Sequence, residues 1–185
     1  MVKLLGISGS LRRGSYNSAL LRAATRLMPE DSVLEVASIR GIPLYDGDVE
    51  AQGIPAAVSQ LKEAVVAAQG VLLATPEYNN SIPGVFKNAI DWLSRPNTDA
   101  RRVFGGRPFA VMGASPGGFG TILSQVAWLP VLRTLGAQFW SGGRLQVSRA
   151  AAVFDETGNL KDAAIEEQLK AFLAGYVAFV RRAAA

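Results

Sequence analysis

The chain contains no cysteine and no histidine. Without cysteine there is no disulfide framework, no Fe–S cluster and no thiol redox chemistry. Without histidine the Ser-His-Asp triad, the Cys-His dyad and the common zinc sites are excluded. Any chemistry must therefore rest on a bound cofactor, a carboxylate, a lysine or a tyrosine, and no metal site is expected. No window reaches about eighteen uninterrupted apolar residues, so no membrane span is expected. The N-terminus enters a strand-like run at once and lacks a signal-peptide layout, which points to the cytoplasm. A long basic run is also missing. Basic residues come as pairs, Arg12-Arg13, Arg101-Arg102 and Arg181-Arg182, and the net charge is +4. That balance suits a small anionic ligand, and no nucleic-acid partner is expected.

What is present fits a single globular domain over residues 1–185, with 49% hydrophobic and 18% charged residues. Lys3–Ser8, Val33–Ala37, Gly70–Ala74 and Pro108–Ala114 read as strands. Phe139-Trp140 and Leu145–Val147 frame a fifth, interrupted one. Between them lie helical patterns. One begins after Ser15 or Asn17 as N-cap and stops near Pro29; another runs from Pro55 to about Gln69. A third, Val85–Leu93, sets Phe86, Ala89, Ile90 and Leu93 on one face. Two more run from Thr121 to about Leu135 and from about Asp162 to Val180. Ser38–Ile54 reads as a long binding or contact loop, and Arg95–Gly106 as a polar connector. Strands alternating with helices imply an α/β fold, a doubly wound five-stranded parallel sheet in the order 2-1-3-4-5. In that order the loops after strands one, three and four meet at the switch point, where open α/β sheets bind ligands.

Each of those loops is chemically unusual. The first joins Ser8, Ser10, Ser15 and Asn17 with Arg12 and two glycines at a helix N-terminus, a set that suits a phosphate. It matches neither the Walker pattern, since Ser15-Tyr16 stands where Lys-Ser/Thr is required, nor G-x-G-x-x-G. One arginine among hydroxyls fits a monophosphate ester better than a magnesium-bound triphosphate; the plain alternative is a Ser/Gly turn that caps a helix. The second loop, Thr75–Gly84, carries Tyr78 between proline and asparagines. Tyr78 could stack on a flat heterocycle while Asn79 bonds its polar edge, or serve as a core tyrosine. The third, Ser115–Gly120, offers Gly117 and Gly118, through which backbone N–H groups can approach a ligand, or it is simply a turn.

Ser10-Leu11-Arg12-x-x-Ser15-x-Asn17, followed by Pro76-Glu77-Tyr78-Asn79-x-Ser81-x-Pro83-Gly84-x-x-Lys87-Asn88-x-x-Asp91-Trp92, resembles the NADPH-dependent FMN reductase family, which includes quinone, chromate and azo-dye reductases of flavodoxin-like fold. The resemblance runs through the final helix. It implies that Ser10, Arg12, Ser15, Tyr16 and Asn17 hold the FMN phosphate and that Pro76, Glu77, Tyr78 and Asn79 line the isoalloxazine ring. Ser115, Gly117 and Gly118 are carried over from a more variable loop; backbone N–H groups of Gly117 and Gly118 near N1 and the C2 carbonyl would favour the reduced flavin. Lys87, Asn88 and Asp91 are expected to support the ring loop, and Trp92 and Leu93 to lie at a subunit interface of a homodimer or homotetramer.

The activity so implied is reduction of a quinone or similar small acceptor (a flavin, an azo dye, chromate) by NADPH or NADH, in ping-pong hydride transfer through FMN. Two other classes use the same fold: a flavodoxin-type electron carrier, and a flavin- or nucleotide-binding module without turnover. Carriers resemble one another in a strongly acidic surface, from which this basic chain departs. Steady NAD(P)H oxidation separates the enzyme from both.

Overall fold

The computed structural model describes residues 1–184. At its centre the apolar runs form parallel strands β1 (Val2–Ser8), β2 (Ser32–Ala37), β3 (Gly70–Ala74) and β4 (Pro108–Ala114). The last sheet position is shared by two fragments, β5 (Gln138–Phe139) and β6 (Gln146–Val147), both paired to β4. The order β2-β1-β3-β4-β5 is the one expected from the sequence. Every residue of β3 and β4 is buried, as helices on both faces of a parallel sheet require. Register then sets the ends of the strands. Ile7 pairs with Ala37, Ser8 with Ala74, and Ala74 with Met112, so the first three strand-to-loop exits sit level at one rim.

Two cores sandwich the sheet. On one side α1 (Tyr16–Arg26) and α8 (Ala163–Ala183) bury Leu20, Leu21, Leu169, Leu173 and Tyr176 against Leu4, Leu72 and Met112. The Tyr176 hydroxyl lies 2.8 Å from the Val71 carbonyl and 2.9 Å from that of Pro108, which fastens α8 across β3 and β4. On the other side α3 (Ala56–Ala67), α4 (Gly84–Leu93) and α6 (Ile122–Thr134) bury Val58, Val65, Phe86, Ile90 and Trp128 against Ile7, Leu73 and Val111. No helix among the described residues is long and apolar enough to cross a membrane.

Three short helices depart from the sequence reading. The Ser38–Ile54 loop contains α2 (Gly47–Gln52), started by the Asp46 carboxylate accepting from the Asp48 N–H at 2.8 Å. The Arg95–Gly106 connector is mostly α5 (Asn97–Phe104), polar in composition but folded because Val103 and Phe104 are wholly buried. A third, α7 (Ala150–Val153), lies before the Phe154–Leu160 turn. Trp92 and Leu93 also correct the reading. Both are wholly buried in this chain's own core, with the Trp92 indole donating to the Pro43 carbonyl at 2.9 Å. A side chain so enclosed offers no surface to a second subunit.

Candidate active site

The loops after β1, β3 and β4 surround a cleft of about 200 Å³. The first loop lines it with Ser10, Arg12, Ser15, Tyr16 and Asn17, the second with Pro76, Glu77 and Tyr78, the third with Ala114, Ser115 and Pro116. The convergence follows from the strand order, since β1, β3 and β4 are consecutive in the sheet. Close packing beneath the loops fixes their paths. Gly9 passes so near Phe86 that a Cβ there would lie 2.1 Å from the ring, so only glycine lets the chain turn at this height. Its N–H still donates to the Ala74 carbonyl at 2.9 Å, tying the first loop to the end of β3.

Of the two sequence candidates, Ser15 is the N-cap of α1: its hydroxyl oxygen accepts from the Ser18 N–H at 3.2 Å. The Ser10 hydroxyl oxygen accepts from the Arg12 N–H at 3.3 Å. Both hydroxyl protons stay available to an acceptor in the cleft. The N–H groups of Ser15, Tyr16 and Asn17 find no acceptor among the described residues, the usual condition of a helix N-terminus. The Arg12 guanidinium, on the exposed rim, makes no ion pair or hydrogen bond among them either. Hydroxyls, free amides and one uncommitted cation face the same space.

Asn17 does something different. Its amide nitrogen donates to the Ala114 carbonyl and its oxygen accepts from the Ala114 N–H, both at 2.9 Å. The side chain thus acts as one more strand residue beside β4 and holds the first loop against the third. Tyr16 lies nearly parallel to Phe154, with ring centroids 5.9 Å apart.

In the second loop Glu77 is the organising residue. Its carboxylate accepts from the N–H groups of Leu123 at 2.9 Å and Ser124 at 3.1 Å, capping α6 from a distant part of the chain. A negative charge at that end also suits the helix dipole. Beneath it buried Thr75 accepts from the Trp128 indole at 3.1 Å, shares a hydrogen bond with Ser124, and donates to the Pro76 carbonyl. Beyond it the chain reverses at Tyr78–Ser81, closed by two backbone hydrogen bonds of 3.1 and 3.0 Å. Asn79 and Asn80 both have positive φ, 49° and 61°, as a type I′ turn demands and as asparagine tolerates best among residues with a Cβ. The turn leaves Tyr78 49% exposed above the cleft, not in the core.

The third loop is held by its backbone. Ser115 donates to the Val147 carbonyl and accepts from the Ala150 N–H, while the Gly117 carbonyl accepts from Arg149. Gly117 and Gly118 lie further out, and a Cβ at either would meet nothing within 4 Å. No set of three or more His, Cys, Asp or Glu side chains able to hold a metal exists among the described residues.

Lys87, Asn88 and Asp91 do not brace the ring loop. Lys87 pairs with Asp91 at 2.7 Å, and Asn88 holds the Pro43 carbonyl and the Tyr45 N–H, both at 2.8 Å. Asn88 thus holds the segment after β2, while Lys87 and Asp91 pair with each other. Ala114 and Pro116 as lining residues, and the Thr75–Ser124–Trp128 cluster, carry no local sequence signal, because each depends on contacts between segments far apart in the chain.

Comparison with known proteins gives the family. The profile of the NADPH-dependent FMN reductase family matches residues 2–152. An NAD(P)H-dependent FMN reductase of Pseudomonas aeruginosa is 45% identical over 181 residues, 98% of this chain and 96% of that protein. A 2-hydroxy-1,4-benzoquinone reductase of a Burkholderia species is 35% identical over 180 residues, covering 97% of each. Among solved structures, the flavoenzyme NAD(P)H:(acceptor) oxidoreductase FerB of Paracoccus denitrificans superposes with a TM-score of 0.88 at 30% identity, with 98% of both chains covered. The chain belongs to the NADPH-dependent FMN reductase family.

Proposed function

We propose that FMN lies in the cleft with its phosphate at the N-terminus of α1 and its ring beside the Pro76–Asn79 loop. The chain is an NAD(P)H-dependent FMN oxidoreductase of the quinone-reductase kind. The observation that carries the placement is the set of unspent donors on one side of the cleft: the Ser10 and Ser15 hydroxyls, the amides of Ser15, Tyr16 and Asn17, and the unpaired Arg12. A phosphate dianion is the ligand such a set stabilises. The fit at the other end is steric. Pro76 and half-exposed Tyr78 form an apolar edge, and the space above Gly117 and Gly118 is open.

FMN, when bound, supplies the acceptance and release of hydride. The chain supplies position. Arg12, Ser10 and Ser15 hold the phosphate. Asn17 and Glu77 keep the three loops in register, the first through Ala114 and the second through the N-terminus of α6. Asn79 shapes the turn that presents Tyr78. Exposed Gly117 and Gly118, beyond the cleft-lining Ser115 and Pro116, would stabilise added negative charge on the flavin through their N–H groups. No side chain has to give or take a proton, in keeping with the absence of histidine.

Quinones are the proposed acceptors, on the strength of the relatives' activities. We also propose a homodimer or homotetramer. Leu123, Val126 and Leu129 make one face of α6 apolar and exposed, and a second copy is its proposed cover. The cytoplasm, which holds the NAD(P)H pool, is the proposed location.

The test is an absorption spectrum of the purified protein with FMN, before and after anaerobic NADPH and NADH. Flavin bands that bleach on mixing and return with quinone support the reading. Bound flavin that neither nucleotide bleaches indicates a carrier, and no retained flavin removes FMN from the cleft.

A further inference from the structure

Residues 10–14 form the bare part of the first loop. Apart from the contact of the Ser10 hydroxyl with the Arg12 N–H inside it, only one hydrogen bond ties this stretch to the rest of the described chain. Arg40 Nη2 donates to the Leu11 carbonyl at 2.7 Å. The approach is built into the sheet. Because Ile7 pairs with Ala37, the chain leaving β2 runs level with the chain leaving β1. The Ser38 hydroxyl then accepts from the Arg40 N–H at 3.1 Å, and buried Ile39 anchors the segment in the core below. Arg40 is thereby aimed sideways at the first loop, and it has no carboxylate partner among the described residues.

We infer that Arg40 is a positioning residue for a phosphate monoester, acting through the Leu11 carbonyl and not by touching the ligand. The inference rests on the placement of FMN proposed above. Ordering a free loop costs backbone entropy, so a loop already held at its middle binds an anion at smaller cost. Arg40 holds Leu11 next to Arg12, so that the Ser10 hydroxyl and Arg12 guanidinium face the cleft before any ligand arrives.

Three measurements on the full chain test this, using Arg40→Ala and Arg40→Lys. Limited trypsin digestion of the flavin-free protein reads the brace without any ligand: Arg40→Ala should speed cleavage after Arg12 and Arg13 in the exposed loop, and unchanged cleavage there overturns the inference. Titration with FMN and with riboflavin, which lacks the phosphate, reads its purpose. Arg40→Ala should lower FMN affinity roughly tenfold, the size of a charge-assisted hydrogen bond, and riboflavin affinity by less than about twofold. Equal losses for both flavins, or none for FMN, overturn it. Arg40→Lys, which keeps a cationic donor on a slightly shorter stem, should recover part of the FMN affinity. The ratio of the Arg40→Ala and wild-type dissociation constants should hold between low and high salt; a ratio that collapses toward one assigns the effect to free charge and refutes the brace. Wild-type protein that binds FMN no better than riboflavin would instead remove the phosphate site itself, while leaving the digestion result to stand.

Discussion

At the scale of single residues, the division between holding a ligand and holding the loops is decided by which polar atoms are already spent. Arg12 has none of its guanidinium donors engaged, whereas both ends of the Asn17 amide are used on Ala114. Arg12→Ala should therefore weaken FMN binding by ~10- to 100-fold, as loss of a charged hydrogen bond does. The flavin-free protein should keep its stability to within about 0.5 kcal/mol, because the residue is exposed and supports nothing else. Flavin fluorescence titration beside a thermal melt checks both halves, and unchanged FMN affinity removes Arg12 from the site. Tyr78 teaches the same lesson from the opposite side: its exposure is set by two asparagines with positive φ, not by its own chemistry.

Between elements, a few charged groups do the joining. Glu77 supplies the cap that α6 lacks locally, since Thr121 makes no side-chain cap bond and itself has a φ of 68°. Glu77→Ala should cost about 1–2 kcal/mol, the usual worth of an N-cap, and should loosen FMN as well, because the ring loop and α6 are released together. Urea unfolding and FMN titration of the variant check it; a stability loss with full FMN affinity would separate the cap from the site. The α3–α5 contact works likewise. Asp99 bonds Arg102 at 2.6 Å and buried Lys62 at 3.0 Å, while Arg102 also reaches Glu63 at 2.8 Å. Hydrogen bonding from Arg102 foremost, with Lys62 second, lowers the Asp99 carboxyl from 3.8 to about 2. A carboxylate depressed in the folded state adds stability that is present above its unfolded value, near pH 4, and is lost as pH falls through about 2. Asp155, lowered to about 2 by the Asn159 N–H and the Thr157 hydroxyl, titrates in the same window. Asp99→Asn should flatten part of the acid limb of a stability–pH curve, and Asp99→Asn with Asp155→Asn more of it.

For the whole molecule, the proposal is a single unfolding unit, residues 1–185, that associates through α6. Helices buried on both faces of one sheet leave no place for a boundary between independently stable parts, and fluorescence and circular dichroism should report coincident urea transitions. A face that sets Leu123, Val126 and Leu129 in water calls for a cover. Val126→Asp should shift the protein in sedimentation velocity toward the 19.6 kDa of one chain, with its far-ultraviolet spectrum unchanged. A wild-type protein already at that mass would leave α6 with no partner of its own kind.

What the sequence determined by itself is whatever rests on neighbours in the chain. Continuous apolar runs marked the buried strands, 3.6-residue spacing marked α1, α4 and α8, and the alternation of strands with helices led to the sheet order and to three loops at one rim. The polar loop residues, read in their spacing, were enough to indicate the family. Tertiary structure decided what each of those residues spends itself on. Asn17 reaches a strand 97 positions later, Glu77 a helix 46 positions on, and Arg40 a loop 29 positions back. Trp92 lies in the core because the segment after β2 folds over it. The helices α2 and α5 form where a single cap or a buried Val103-Phe104 pair outweighs a polar composition. The physical reason is one of range. Propensity and periodicity act within a turn or a strand, whereas a hydrogen-bond partner is chosen by which segments the sheet brings side by side.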